Sequence, residues 1–243
     1  MHHDPITRLY GIGIGPGEAE LLTLKAKRLL EEADIVFAPK ARIKSDSLAL
    51  DIVLKAGVEP SKIKELEFPM VLDKTLLARK WKDAADQILT LLPQGKTGAF
   101  ITLGDPSIYS TWTYLKKALL DKSDHIEVNT VPGISTMNAA AAVLDKELVI
   151  GKQKMALIPL PRNLDEIEGL LSYFDTIVIY KVSNRLKEFQ ELMARLDLTD
   201  HCALVSRVGL EGEKIFPSLN DIHQEEAYLS TAIIHVPSQE KGE

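Results

Sequence analysis

An apolar run, Ala99-Phe100-Ile101-Thr102-Leu103, stops at Gly104-Asp105-Pro106-Ser107-Ile108-Tyr109, and an amphipathic stretch over residues 114–120 follows. That order reads as a strand, a sharp loop and a helix. Gly104 opens backbone angles closed to other residues and lets a ligand approach the main chain. Pro106 fixes its own φ and turns Asp105 towards an extended conformation. Asp105 is then left as an acceptor for hydroxyl or cationic groups. In an open parallel sheet, the loops at the carboxyl ends of the strands are where ligands bind. Gly-Asp-Pro is also ordinary turn chemistry, so the rest of the chain has to separate the two readings.

Strands and helices alternate around this loop. Residues 9–14, 35–38, 63–68 and 126–131 read as further strands, with Pro39 expected to stop the second. Thr23 is the expected N-cap of a helix, with Leu22, Ala26, Leu29, Leu30 and Ala33 at helical spacing. A short helix is expected over 47–54. A longer one has the stripe Leu77, Trp81, Ala84, Ile88 and Leu91, ended by Pro93 and Gly95. This alternation predicts an α/β fold, a mostly parallel sheet with helices on both faces. Val131-Pro132-Gly133 breaks the rhythm, so the reading divides the chain into an α/β domain over 1–132 and another over 133–243. In the second, helices are expected over 134–144, 164–172 and 186–196. Strands are expected over 155–158, 176–180, 201–207 and 231–236, with a hairpin or loop over 209–217.

Composition excludes several classes of function. The mix of 45% apolar and 26% charged residues is that of a soluble globular protein, and the net charge of −6 argues against non-specific nucleic-acid binding. No apolar run approaches the ~20 residues of a membrane span. Residues 1–9 lack an apolar signal core, so a cytoplasmic protein is expected. One cysteine, Cys202, lies in an apolar run and reads as a buried small hydrophobe. The six histidines form no ligand spacing, and no protein-bound metal is expected.

A second loop, Gly11-Ile12-Gly13-Ile14-Gly15-Pro16-Gly17, suggests a dinucleotide fingerprint, but the spacing refuses it. A G-x-G-x-x-G pattern counted from Gly11 needs glycine at Pro16, and counted from Gly13 needs it at Glu18. No Walker lysine follows. Either the loop holds its backbone against something flat or crowded, or its glycines let strand and helix pack tightly.

The three loops taken together carry a resemblance. Gly13-Ile14-Gly15-Pro16-Gly17 with Leu21-Leu22-Thr23-Leu24-Lys25-Ala26 and Ala33-Asp34, then Gly104-Asp105-Pro106, then Val131-Pro132-Gly133-Ile134-Ser135-Thr136, resemble in order and separation the signatures of the tetrapyrrole methylases. Two further segments, Phe37-Ala38-Pro39 with Ser45-Asp46-Ser47-Leu48-Ala49, and residues 109–115, are similar to the branch that methylates carbon 20 of precorrin-2. The resemblance implies two α/β domains, with a mostly parallel N-terminal sheet, a mixed C-terminal sheet and a cofactor cleft between them. It also implies a homodimer, S-adenosylmethionine as methyl donor and a tetrapyrrole as substrate in cobalamin biosynthesis. Cofactor contacts are implied for Pro16, Gly104, Asp105, Ile108, Ser135 and Thr136, and for Tyr180, Lys181, Val182, Ala232 and Ile233. Asp105 is expected near the reaction centre.

Methyl transfer from a sulfonium is an in-line displacement, so positioning and desolvation are the enzyme's main tasks. That agrees with the absence of a visible triad or metal cluster. Methylating a meso carbon also releases a proton, for which Asp105, Tyr109 and Tyr114 are the candidate acceptors; for Tyr114 the favoured reading is a tyrosine packed in the core. A polycarboxylate substrate asks for a basic mouth, and Lys40, Arg42 and Lys44 form one beyond the second strand, unless they are a solvated loop. The rival readings are a methylase acting at another ring carbon or on uroporphyrinogen, and a non-catalytic nucleotide-binding module.

Overall fold

The computed structural model describes residues 6–40, 48–67, 74–220 and 222–237, and the chain divides into two compact units between Ser135 and Thr136. The first is built on β1 (Thr7–Gly13), β2 (Ile35–Lys40), β3 (Ile63–Glu67), β4 (Thr97–Thr102) and β5 (Ile126–Val131). They form one sheet in the order β3-β2-β4-β1-β5, and every neighbouring pair is parallel. Four helices make the crossovers: α1 (Leu24–Glu32), α2 (Leu48–Lys55), α3 (Lys74–Leu91) and α4 (Trp112–Leu120). Thr23 caps α1, its hydroxyl accepting from Ala26 N–H at 3.1 Å.

The core on one face gathers Leu9, Phe37, Ile88, Phe100, Trp112 and Leu115. Trp112 stacks on Phe100 with ring centroids 5.8 Å apart, and its indole N–H donates to Thr130 Oγ1 at 2.9 Å. The indole fills the space above Gly11, where any Cβ would overlap it.

Two expectations for this unit need correction. Strand β2 continues through Pro39 to Lys40. Its pairing with β4 ends at Phe37, and beyond that point it runs against β3 alone, so a residue without an N–H is tolerated. The inner face of α3 carries Ala84, Ala85, Ile88 and Leu92, while Leu91 is 40% exposed. Leu92 still donates to Ile88 O at 2.8 Å, so it follows the helical turn and takes the inward position.

The second unit holds β6 (Met155–Pro159), β7 (Thr176–Tyr180), β8 (Cys202–Ser206), β9 (Lys214–Phe216) and β10 (Ser230–His235), in the order β6-β7-β10-β8-β9. Only β6 and β7 are parallel, so the sheet is mixed. Its helices are α5 (Thr136–Val143), α6 (Asp165–Leu170) and α7 (Leu186–Arg195). Phe189 and Met193 of α7 join Ile177, Ile179, Leu204 and Ala232 in the core, and α5 lies against β10. The stretch 209–217 forms a hairpin, with β9 antiparallel to β8. Cys202 is fully buried and burial pushes its thiol up, which makes it inert.

The fold prediction rests on the contact between Trp112 and Gly11. Gly11→Ala, in a Trp81→Phe background that leaves Trp112 as the sole indole, costs about 1–3 kcal/mol of unfolding free energy and changes the Trp112 emission spectrum. Denaturant titration followed by fluorescence checks both, and an unchanged midpoint contradicts the packing argument.

Candidate functional site

The chain leaves β1 towards β2 on one side and leaves β4 towards β5 on the other, although β1 and β4 are neighbours. Adjacent strands whose connections diverge make a topological switch point, and the crevice outside their carboxyl ends is the place for a ligand. Three loops meet there. Ile14 N–H donates to Thr102 O at 3.0 Å, and Gly104 N–H donates to Gly15 O at 2.7 Å. A Cβ on Gly13 would lie 2.7 Å from Gly104 O, Gly133 N and Pro106 Cδ alike, and one on Gly133 would collide with Gly104 O. Glycine is therefore required at both positions by close approach of backbone to backbone. Gly104 itself sits at φ 70°, a left-handed conformation.

Asp105 ties this contact together. Its Oδ2 accepts from Gly133 N–H at 2.9 Å, while Oδ1 accepts from Ser107 N–H at 2.8 Å and from the Ser107 hydroxyl. Burial by itself raises the carboxyl pKa, but the Ser107 and Gly133 donors outweigh it and hold Asp105 below its ordinary value. Both oxygens are thus engaged within the protein, and the group is a weaker proton acceptor than a free aspartate. The geometry makes Asp105 a clamp between the loops after β4 and β5.

The rest of the 104–111 loop is pinned on its far side. Ile108 N–H donates to Asp105 O at 3.2 Å, Ser110 Oγ and Thr102 Oγ1 share a hydrogen bond of 3.0 Å, and Trp112 N–H donates to Ser110 Oγ at 3.1 Å. Pro16 is buried, Ile108 is half-buried and Tyr109 is exposed. Tyr114 stands apart, stacked on Trp81 at 5.7 Å. Lys40 ends β2 in an ion pair with Glu65 of β3 at 2.8 Å, so its charge is already matched. Arg42 and Lys44 lie outside the described residues.

In the second unit, Tyr180 ends β7 and points its hydroxyl at the start of α5. It accepts from Met137 N–H at 3.0 Å, and Thr136 Oγ1 donates to it at 3.3 Å. One of the helix's unsatisfied first-turn donors is met in this way. Lys181 follows in the left-handed region at φ 65°, and Val182 is fully buried. The registers Thr231↔Tyr180 and Ser230↔Ser206 place Leu229 and Arg207 at the same edge, also left-handed at φ 54° and 52°. Arg207 N–H donates to Leu229 O at 3.1 Å. Beside them the buried hydroxyls of Ser206 and Ser230 have no hydrogen-bond partner among the described residues. Ala232 and Ile233 lie deeper in β10. Both are fully buried, and both are paired to β7 and to β8. Their side chains point to opposite faces of the sheet, and Leu229 and the buried Ser230 lie nearer its edge. Nothing in the sequence marks Lys181, Arg207 or Leu229 as left-handed, because none of these types favours it.

A family model of tetrapyrrole (corrin/porphyrin) methylases matches residues 8–222 of this chain. The chain belongs to the tetrapyrrole methylase family. It is 37% identical over 232 residues to a probable cobalt-precorrin-2 C(20)-methyltransferase from Methanocaldococcus jannaschii, with 94% of this chain and 96% of that protein covered. It is 31% identical over 230 residues to the cobalt-precorrin-2 C(20)-methyltransferase of Salmonella typhimurium, again covering 94% and 96%. Its fold is shared with the uroporphyrin-III C-methyl transferase of Thermus thermophilus solved with S-adenyl homocysteine, at TM-score 0.61 and 20% identity over 93% of this chain and 96% of that one.

In this tetrapyrrole methylase the edges just described are distinct from a hollow of about 500 Å³ in the second unit. That hollow, lined by Lys152, Lys154, Tyr173, Phe174 and Val236, lies at the opposite, amino-terminal end of β6 and β7 and contains none of the expected site residues. Among the described residues no group of three or more His, Cys, Asp or Glu side chains could hold a metal ion, and no helix is long and apolar enough to cross a membrane.

Two predictions follow the hydrogen bonds. The lowered pKa means that Asp105 contributes stability above its ordinary value of 3.8, and that the contribution is lost as pH falls from there through the lower folded value. Asp105→Asn therefore costs about 1–3 kcal/mol at pH 7, and the difference from wild type shrinks in acid; melting curves from pH 7 down to about 3 read the trend. Tyr180→Phe costs about 1 kcal/mol and lowers hydrogen-exchange protection at the Met137 amide. Unchanged protection there contradicts the cap.

Proposed function

We propose that this protein transfers a methyl group from S-adenosylmethionine to carbon 20 of precorrin-2, in its cobalt-bearing form, in cobalamin biosynthesis. The observation that carries this reading is the near full-length likeness to two cobalt-precorrin-2 C(20)-methyltransferases. The cobalt belongs to the substrate.

When bound, the cofactor supplies a methyl group already activated by the sulfonium. The protein's part is then to orient, to exclude water and to hold the acceptor carbon in line. Rigid loops suit that task. In the first unit Pro16, Gly104 and Ile108 offer main chain and apolar surface on a loop that Asp105 fixes to Gly133, and Ser135 is buried beside it in sequence. In the second unit Thr136, Tyr180, Lys181 and Val182 form a braced edge that, with Ala232 and Ile233, is proposed to meet the cofactor. Asp105 serves as a positioning residue in this scheme. Lys40, Arg42 and Lys44 are proposed to face the substrate's carboxylates, with Lys40 shared between substrate and Glu65. Family membership supports a homodimer acting in the cytoplasm, with a small-molecule partner and no nucleic acid.

The test is incubation with labelled methyl donor and either metal-free or cobalt-bearing precorrin-2, with the product read by mass and NMR. One methyl at carbon 20, faster with cobalt, is the expected result. A methyl at another carbon assigns a different methylase. Calorimetry that detects no S-adenosylhomocysteine binding supports the non-catalytic module instead. Arg42→Ala and Lys44→Ala raise the substrate KM most at low salt, where exposed charges act furthest.

A further inference from the structure

Among the described residues three arginines are half-buried, Arg8, Arg185 and Arg207. Arg8 meets the Glu127 carboxylate at 3.0 Å, and Arg185 meets that of Glu188 with two of its nitrogens. Arg207 has no carboxylate within ion-pair distance among the described residues. Glu213 is committed elsewhere, accepting from Gly209 N–H at 2.7 Å, and Glu211 offers Arg207 its carbonyl rather than its carboxylate.

The side chain is nevertheless held. Its Nε donates to Glu211 O at 2.7 Å, and its stem passes so near Gly212 that a Cβ there would lie 3.5 Å from Nε. The backbone is held as well, with Arg207 N–H donating to Leu229 O at 3.1 Å and Arg207 O accepting from Leu210 N–H at 2.9 Å. These bonds keep the residue left-handed at φ 52°, a conformation that glycine or asparagine adopts at less cost. The two terminal amino groups of the guanidinium are left without a hydrogen-bond partner among the described residues. A cation partly withdrawn from water and matched by no anion is unfavourable. Its place is the ligand edge: β8 and β7 are each antiparallel to β10, so Arg207 leaves the second sheet at the edge where Tyr180 ends β7. Strain and unmatched charge kept together at such an edge point to a use.

We propose that Arg207 binds a carboxylate of the tetrapyrrole substrate through those two amino groups. This rests on the methyltransferase reading, which supplies a substrate rich in carboxylates. A guanidinium presents parallel N–H bonds that match the two oxygens of a carboxylate, and the charge on both sides strengthens them. With Nε tied to Glu211 O, the outer end of the fork is the part that remains to donate. A fork fixed in direction also fixes the acid arm it takes, and so restrains how the ring system is turned. S-adenosylmethionine carries a carboxylate too, so the test separates the two sources.

The variants are Arg207→Gly and Arg207→Lys in the full chain. Fluorescence titration of uroporphyrin, a stable polycarboxylate tetrapyrrole, reads the proposed contact. Calorimetry with S-adenosylhomocysteine reads the cofactor's carboxylate, and a melting curve reads the fold. Arg207→Gly weakens probe binding by about tenfold and raises the KM for precorrin-2 more than it lowers kcat. Its S-adenosylhomocysteine affinity stays within about twofold, and its melting temperature holds or rises because glycine suits the left-handed backbone. Arg207→Lys keeps the charge without the fork and falls between Arg207→Gly and the wild type. Unchanged probe binding in Arg207→Gly overturns the inference. So does a loss of S-adenosylhomocysteine binding with probe binding intact, which assigns the cation to the cofactor. A lowered melting temperature with both ligands lost makes the role structural and also overturns it. If the wild type binds the probe but does not methylate precorrin-2, the activity reading fails while the probe affinities still judge Arg207. If the wild type binds no tetrapyrrole, both fail.

Discussion

The first unit depends on a place where three backbones touch. Gly13, Gly104 and Gly133 leave the carboxyl ends of β1, β4 and β5 and pack with no room for a side chain among them. Apart from the Pro106 ring against Gly13, the contact is backbone on backbone, and hydrogen bonds cross the junction. Gly104 N–H to Gly15 O joins the first two loops, and the Asp105 carboxylate reaches Gly133 N–H to join the third. A hydrogen bond to a charged group is worth about 1.5–3 kcal/mol, enough to matter at a junction built mostly of backbone. The same bonds set the direction in which Pro106, Ile108 and Tyr109 leave the sheet.

The two units share a division of labour between their edges. At the amino-terminal edge, Asp34 N–H donates to Thr97 O while its carboxylate accepts from Thr97 N–H, so the starts of β2 and β4 are locked in register. Thr97 and Lys96 hold that carboxyl below its usual range. Asp175 repeats the device in the second unit, donating to Lys154 O and accepting from Lys154 N–H at the starts of β7 and β6. These are relaxed, locally satisfied pairs. The carboxyl edges hold the left-handed Tyr109, Lys181 and Arg207, with Leu229 beside them, and the two serine hydroxyls without partners. Register is secured at one end, and unusual backbone is kept at the end where a doubly wound sheet binds its ligand.

That division also governs what the sequence makes legible. Strands β5 and β7 lie where periodicity places them, and Thr23 caps α1 as its position suggests, because alternation and capping are local properties. Pro39 inside β2 was not legible, since it is tolerated only because β4 lets go at Phe37, and that is a matter of sheet order. The ion pair of Lys40 with Glu65 depends equally on β3 lying beside β2. In β10 the resemblance implies Ala232 and Ile233, and only the register with β7 and β8 shows that both side chains are buried and that Ser230 lies nearer the edge. The motif loops could be found because glycine, proline and aspartate are the residue types that close backbone contacts demand. The role of Asp105 could not, because its partner Gly133 is distant in sequence and glycine carries no sign of what its amide meets.

The clamp changes how the chemistry is apportioned. An aspartate at a glycine-rich loop invites the role of general base, and a base is most effective with a pKa near the working pH. Asp105 is displaced the other way, because the donors that hold the loop together are the donors that stabilise its charge. Both of its oxygens already accept hydrogen bonds, from Ser107 and from Gly133, and the loop that carries Tyr109 is anchored through them. A displacement from an activated methyl donor does not ask the protein for a nucleophile, and the electron-rich acceptor provides its own. What it asks for is a fixed angle and a fixed distance, and those are supplied by backbone held without play. The glycines, the proline and the engaged carboxylate hold this loop by its geometry, the property on which such a transfer draws.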